Sequence, residues 1–99
     1  MIESRASGGG EAEAASLVAI EALGYLAALP DVFARFLKDT GAAPGDLAAV
    51  AETRTFQAQV LGFLANDDSL LLAFASHAGH APDAVMRAYD ELAGTRDVV

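Results

Sequence analysis

The sequence predicts an all-α protein, a small bundle of about six helices built from two similar three-helix units. Three observations lead there. Much of the 54% apolar content is alanine, which enters a helix at almost no side-chain entropy cost. No segment alternates apolar and polar residues over a useful length, so no strand is expected. Finally, the stretch Leu23-Gly24-Tyr25-Leu26-Ala27 returns 38 residues later as Leu61-Gly62-Phe63-Leu64-Ala65. The register continues beyond it: Phe36 meets Phe74, Gly41 meets Gly79, and Ala43-Pro44 meets Ala81-Pro82.

Met1 to Gly10 closes on three glycines, and residues 1–10 are expected as a disordered tail before a single helical domain over 11–94. The first helix should begin near Glu11, with Glu11 and Glu13 at the dipole end that favours negative charge, and run to about Ala28. Leu17, Ile20, Leu23 or Gly24, and Ala27 follow helical spacing. Val18, Tyr25 and Leu26 widen that apolar face, as suits a central helix. Pro30 ends this helix and suits the first turn of a second, over about 31–39. Val32, Phe33 and Phe36 should turn inward, and Gly41 is a left-handed stop. Pro44 opens a short third helix anchored by Leu47 and Val50. Thr55 is the expected N-cap of a fourth helix reaching Asn66, with Phe56, Val60, Phe63 and Leu64 as its stripe. Asp67 or Asp68 should cap the fifth, Ser69 to Ala78, which Leu70, Leu71, Leu72 and Phe74 make apolar nearly all round. Pro82 opens the sixth, whose inner face is Val85, Met86, Tyr89 and Leu92, with Gly94 as its stop. Residues 95–99 are expected to fray.

One unit, about 22–50 and again 60–88, is too small to bury its apolar face alone, so two must close on each other. Pseudo-twofold symmetry would bring the first and fourth helices together at the centre. Gly24 and Gly62 would then have a reason. A mid-helix glycine costs about 1 kcal/mol against alanine, and two at equivalent places suggest close approach of another backbone. Tyr25 and Phe63 would cover that structural helix crossing.

Lysine and arginine total 6 against 14 aspartates and glutamates, a net charge of −8. Such a surface repels phosphate backbones and anionic lipid. No stretch is long and apolar enough for a membrane span, and Met1 to Gly10 holds no apolar export core, so the cytoplasm is the expected location. The absence of cysteine removes disulfides, thiolate metal sites and cysteine nucleophiles. His77, His80 and Asp83 could ligate a metal on paper, but Gly79 and Pro82 interrupt any common helix. No metal and no cofactor are expected. Ser76 adjoins His77, and adjacent residues on a helix do not face each other. The glycines form no phosphate-binding loop after a strand. The chain is therefore not expected to be an enzyme, and a polar pocket converging on His77 would be the observation against that view.

Ala75-x3-Gly79-x5-Val85 has the spacing of a helix-turn-helix, and Leu37, Gly41 and Leu47 hold the same places in the first unit. The helix that would read DNA offers Asp83, Arg87, Asp90 and Glu91, one positive charge against three negative ones where phosphates would sit. A positive face built from Arg35, Lys38 and Arg54 would be needed to reverse this.

The order of these residues resembles the bacterial domain-of-unknown-function 3572 family. The likeness is carried by Ala22 to Ala27, Phe36-Leu37 through Thr40-Gly41, Pro44-x-Asp46-Leu47, Leu61 to Leu64, and Leu70 to Phe74 through Gly79 and Pro82, over about residues 15–93. Such families tend to place aspartate before the helix-opening prolines, whereas here Leu29 and Ala43 stand there. Two side-chain caps, about 1 kcal/mol each, are lost. The resemblance implies a small helical bacterial protein with no established activity and supplies no catalytic residues. The leading expectation is a non-enzymatic protein–protein interaction module that meets a protein partner or a second copy of itself. Its expected contact surface is Leu70, Leu71, Leu72 and Phe74, unless the fifth helix is simply the most buried one. The alternative is a helix-turn-helix DNA-binding regulator.

Overall fold

A computed structural model of the protein describes residues 2–93, with side chains from residue 13 onward. Six α-helices follow one another: α1 (Ile2–Ala27), α2 (Pro30–Thr40), α3 (Leu47–Val50), α4 (Arg54–Ala65), α5 (Asp68–Ala78) and α6 (Pro82–Ala93). A 3₁₀ turn, Pro44–Asp46, leads into α3. No strand occurs among the described residues.

Local chemistry sets most of the boundaries. Gly41 and Gly79 end α2 and α5 at φ 75° and 78°, in the left-handed region that glycine enters without a Cβ penalty. Leu29 and Ala43 are extended and give no side-chain cap, as the missing aspartates imply. Asp67 caps α5, accepting from Leu70 N at 3.1 Å. The cap of α4 is Thr53, not Thr55. The Thr53 backbone is extended, as a cap must be. Its hydroxyl accepts from Phe56 N at 3.2 Å and donates to Val50 O at 2.8 Å.

α1 begins at Ile2 rather than near Glu11, so the backbone of the expected tail continues the helix. Each residue added to an anchored helix gains one backbone hydrogen bond. Propagation can therefore cross three glycines, though each costs about 1 kcal/mol. The stop expected at Gly94 and the frayed end expected at 95–99 lie outside the described residues.

α1 and α4 pack together at the centre, α6 lies against both, and α2 and α5 flank them. α3 is a single turn that touches mainly the 3₁₀ turn before it, so it does not hold the place that α6 holds. The inner face of α1 is Ala15, Ala19, Ala22 and Leu26, all buried. Of the expected stripe, Leu17, Ile20, Gly24 and Ala27 face outward instead, while Leu23, the alternative to Gly24, is half-buried against the core. The reason is room: α4 and α6 both lie on α1, and helix separation follows side-chain size, so alanine admits two neighbours where leucine would hold them off.

Two aromatic groups close the core. Phe36 is fully buried, with Phe56 and Phe63 edge-on at 5.6 and 5.3 Å between ring centroids. Phe74, also fully buried, meets Tyr25 at 5.6 Å. Gln57 is a buried polar side chain, and its Nε2 donates to Ala51 O at 3.0 Å, tying α4 to the loop after α3.

Candidate functional site

Over residues 13–27 both long faces of α1 are largely apolar. Opposite the buried alanines, Leu17 is 63% and Ile20 40% exposed. Gly24, Ala27 and Ala28 continue that line into solvent. Steps of three and four residues put these positions along one side of the helix. A helix that buries one stripe ordinarily turns a polar face outward, yet Glu13 and Glu21 are the only charged residues in 13–27.

Gly24 lies within this outer line. Among the described residues, a Cβ built on it would meet nothing within 4 Å. No other described backbone crosses there, so the crossing expected at Gly24 is corrected. At Gly62 a Cβ would come within 3.2 Å of Tyr89 Cε1. That neighbour is a side chain of α6 rather than the backbone of α1, so the reason expected for Gly62 is corrected as well. α1 and α4 do pack on each other, but the nearest neighbour at Gly62 comes from α6. Phe63 lies on Phe36, with the Arg35 guanidinium 5.7 Å from its ring centre.

Beside Gly24 a groove of about 430 Å³ opens between α1 and α5. Glu21, Gly24 and Tyr25 line one side, Phe74 and His77 the other. Tyr25 lies tilted against two residues of α5, with ring centres 5.6 Å from Phe74 and 5.0 Å from His77. At one end His80, in the turn after α5, places Nε2 2.7 Å from Glu21 Oε1, where the ring nitrogen donates to the carboxylate. This contact ties the α5–α6 turn to α1. Glu21 remains about half exposed, so the carboxylate also faces solvent.

Glu21, Tyr25 and His77 thus share the groove, and His80 reaches Glu21 at its end. His80 is held by Glu21, and His77 rests on the Tyr25 ring. Among the described residues no three of histidine, aspartate and glutamate come together to hold a metal ion. His77, His80 and Asp83 are therefore not assembled as ligands.

The contact surface expected on α5 is largely core. Leu70, Leu71 and Phe74 are buried, and Leu72 alone of the four is exposed, at 54%. The flanks of α5 are covered by α4, α6 and α1, which is why a helix apolar on several sides lies inside. Two of the three cations that a DNA-binding face would need, Arg35 and Arg54, lie against carboxylates. Arg35 pairs with Asp67 at 3.9 Å. Arg54 pairs with Glu91 at 3.9 Å and donates to the carbonyls of Glu91 and Leu92 at the end of α6. Such a cation suits the negative end of that helix.

Sequence reasoning named Leu17 and Ile20 but placed them inside. One signal could have reversed this. Ala15-x3-Ala19-x2-Ala22-x3-Leu26 has helical spacing as good as that of the larger residues, and only the small set fits between two close neighbours.

The fold and its surfaces define a small all-α helical-bundle domain in which, among the described residues, an apolar face of α1 is exposed. Residues 12–95 match the model of the family described as Protein of unknown function (DUF3572), and the chain belongs to that family. The match spans the bundle from the start of the packed part of α1 through α6. No curated protein and no solved structure matches the chain. Among the described residues no helix is long and apolar enough to cross a membrane.

Proposed function

We propose that this chain is a non-enzymatic interaction module of the cytoplasm that docks a protein on the outer face of α1. The observation that carries this is the exposure of Leu17 and Ile20 on the same face as Gly24. Fully burying a leucine or isoleucine is worth about 1.5–3 kcal/mol. Covering the exposed parts of these two, together about one whole side chain, therefore offers a partner roughly 1.5–3 kcal/mol. Gly24 adds an independent argument. It costs α1 about 1 kcal/mol against alanine, and nothing among the described residues needs its small size. A backbone approaching from outside would. Charge supports a protein partner over a nucleic-acid duplex, because α6 presents Asp83, Asp90 and Glu91 around Arg87.

The test is native affinity purification with mass spectrometry, comparing the parent chain with Leu17→Ser/Ile20→Ser. Both side chains already face water, so the double variant should unfold close to the parent by circular dichroism while a specific partner is lost. An unchanged set of captured proteins, or a monomer that captures nothing, would count against the reading.

We infer further that the two halves are copies of one unit. Tyr25 and Phe63 are equivalent in the repeat, as are Phe36 and Phe74. The observed pairs are Tyr25 with Phe74 and Phe63 with Phe36. Each half thus sends its aromatic to the other half's phenylalanine, as a twofold relation requires, which supports the repeat although α3 and α6 differ. Exchanging the rings, Tyr25→Phe with Phe63→Tyr, should leave a cooperative thermal transition near that of the parent. Loss of that transition would argue against equivalent sites.

A further inference from the structure

The outer face of α1 is long and narrow. From Leu17 to Ala28 it runs about 16 Å along one helix, and the groove beside Gly24 follows the same direction. This is the form of a surface that takes one further helix, read by anchors spaced three and four residues apart.

Charge then selects the helix. From residue 6 to residue 34 there is no lysine or arginine, while Glu11, Glu13, Glu21 and Asp31 supply four carboxylates. Glu13 and Glu21 are exposed along α1, and Asp31 is exposed just beyond its end. On the α5 side, the groups that can carry positive charge are His77 in the groove and His80, which Glu21 already engages. A second copy of the chain would bring the same carboxylates against themselves, with a net charge of −8 on each side. Like charges set face to face oppose association, and opposite charges at a rim speed and orient it.

We propose that the outer face of α1 takes a basic amphipathic helix of another protein, its apolar side on Leu17, Ile20 and Gly24 and its lysines and arginines toward Glu13, Glu21 and Asp31. Gly24 lets the incoming backbone approach α1, and one apolar side chain enters the groove beside it, over Phe74. The inference rests on the outer face of α1 being the docking surface. It adds the chemical class of what docks there.

The experiment uses the full chain and a synthetic peptide of about 18 residues, five helical turns. The peptide carries leucine and alanine on one face and lysine and arginine on its flanks, and its twin carries glutamate in place of every cation. Calorimetry measures affinity, and amide chemical shifts locate the contact. The basic peptide should bind with shifts concentrated in residues 13–28 and at His77, and the acidic twin should not bind. Glu13→Gln/Glu21→Gln should weaken binding about tenfold, whereas the charge-matched Asp83→Asn/Asp90→Asn should change it less than about twofold. Equal weakening by the two pairs would reduce the interaction to overall charge and overturn the proposal. Shifts centred elsewhere would do the same. So would a dimer of the chain, seen by sedimentation, that Leu17→Ser/Ile20→Ser abolishes. That last result would leave the docking face intact while removing the basic helix. Failure of the peptide together with unchanged capture by the Leu17→Ser/Ile20→Ser chain would remove both.

Discussion

Replacing Gly24 with alanine should stabilise the protein, and the same replacement at Gly62 should gain less or nothing. In a helix interior, alanine is favoured over glycine by about 1 kcal/mol, mainly because the unfolded chain loses freedom. At position 24 the new methyl group meets nothing within 4 Å, so the whole gain should appear. For a domain of this size that is a rise of about 4–8 °C in Tm. At position 62 the new Cβ would stand 3.2 Å from Tyr89 Cε1 and 3.5 Å from its hydroxyl oxygen. Tyr89 is half-buried on α6, which packs on α4, and its ring must give by a few tenths of an ångström to admit the methyl group. A side chain pushed off its rotamer costs about 0.5–1.5 kcal/mol, enough to cancel most or all of the propensity gain. Thermal and urea unfolding followed by circular dichroism would read both variants. The reasoning is wrong if Gly24→Ala melts at or below the parent, or if Gly62→Ala gains as much as Gly24→Ala.

Other substitutions test the core and the caps. Phe36→Ala removes the ring on which Phe56 and Phe63 converge and should cost about 3–5 kcal/mol by urea denaturation; a loss below about 1 kcal/mol would place the core elsewhere. Thr53→Ala deletes the hydroxyl that accepts from Phe56 N and should cost about 1 kcal/mol. Thr55→Ala should stay within about 0.5 kcal/mol of the parent, and the reverse order would show the cap to be Thr55 after all.

Features set by backbone chemistry were legible in the sequence. Gly41 and Gly79 stop their helices because the left-handed conformation favours a residue without Cβ, a preference visible in the residue type alone. Asp67 caps α5 for a similarly local reason. Thr53 and Thr55 differ in nothing but which adopts the extended backbone, so the choice between them was not available from residue type. The direction of α1 was lost for a different reason. Two apolar stripes with the same period run along it, and size suggested that Leu17 and Ile20 were the buried one. What decides is how closely α4 and α6 approach, a tertiary quantity that favours Ala15, Ala19 and Ala22. The same oversight hid the candidate surface, because a leucine assigned to the core cannot also be seen as an anchor. For α5 the residue types left two readings open, a contact patch or the most buried helix, and packing decides for the second: Leu70 and Leu71 lie buried once α4, α6 and α1 surround them.

The central claim is that the outer face of α1 is left open for another helix, and that Gly24 sets how near it can come. Gly24→Leu tests this most directly. Its side chain projects from a position with nothing within 4 Å of the Cβ, along the edge of the α1–α5 groove. The variant should melt no lower than the parent, because leucine is favoured over glycine in a helix by up to about 1 kcal/mol. It should also bind the basic amphipathic peptide at least about tenfold more weakly, a change of about 1.4 kcal/mol. A well-folded Gly24→Leu chain that binds the peptide as tightly as the parent would contradict the account.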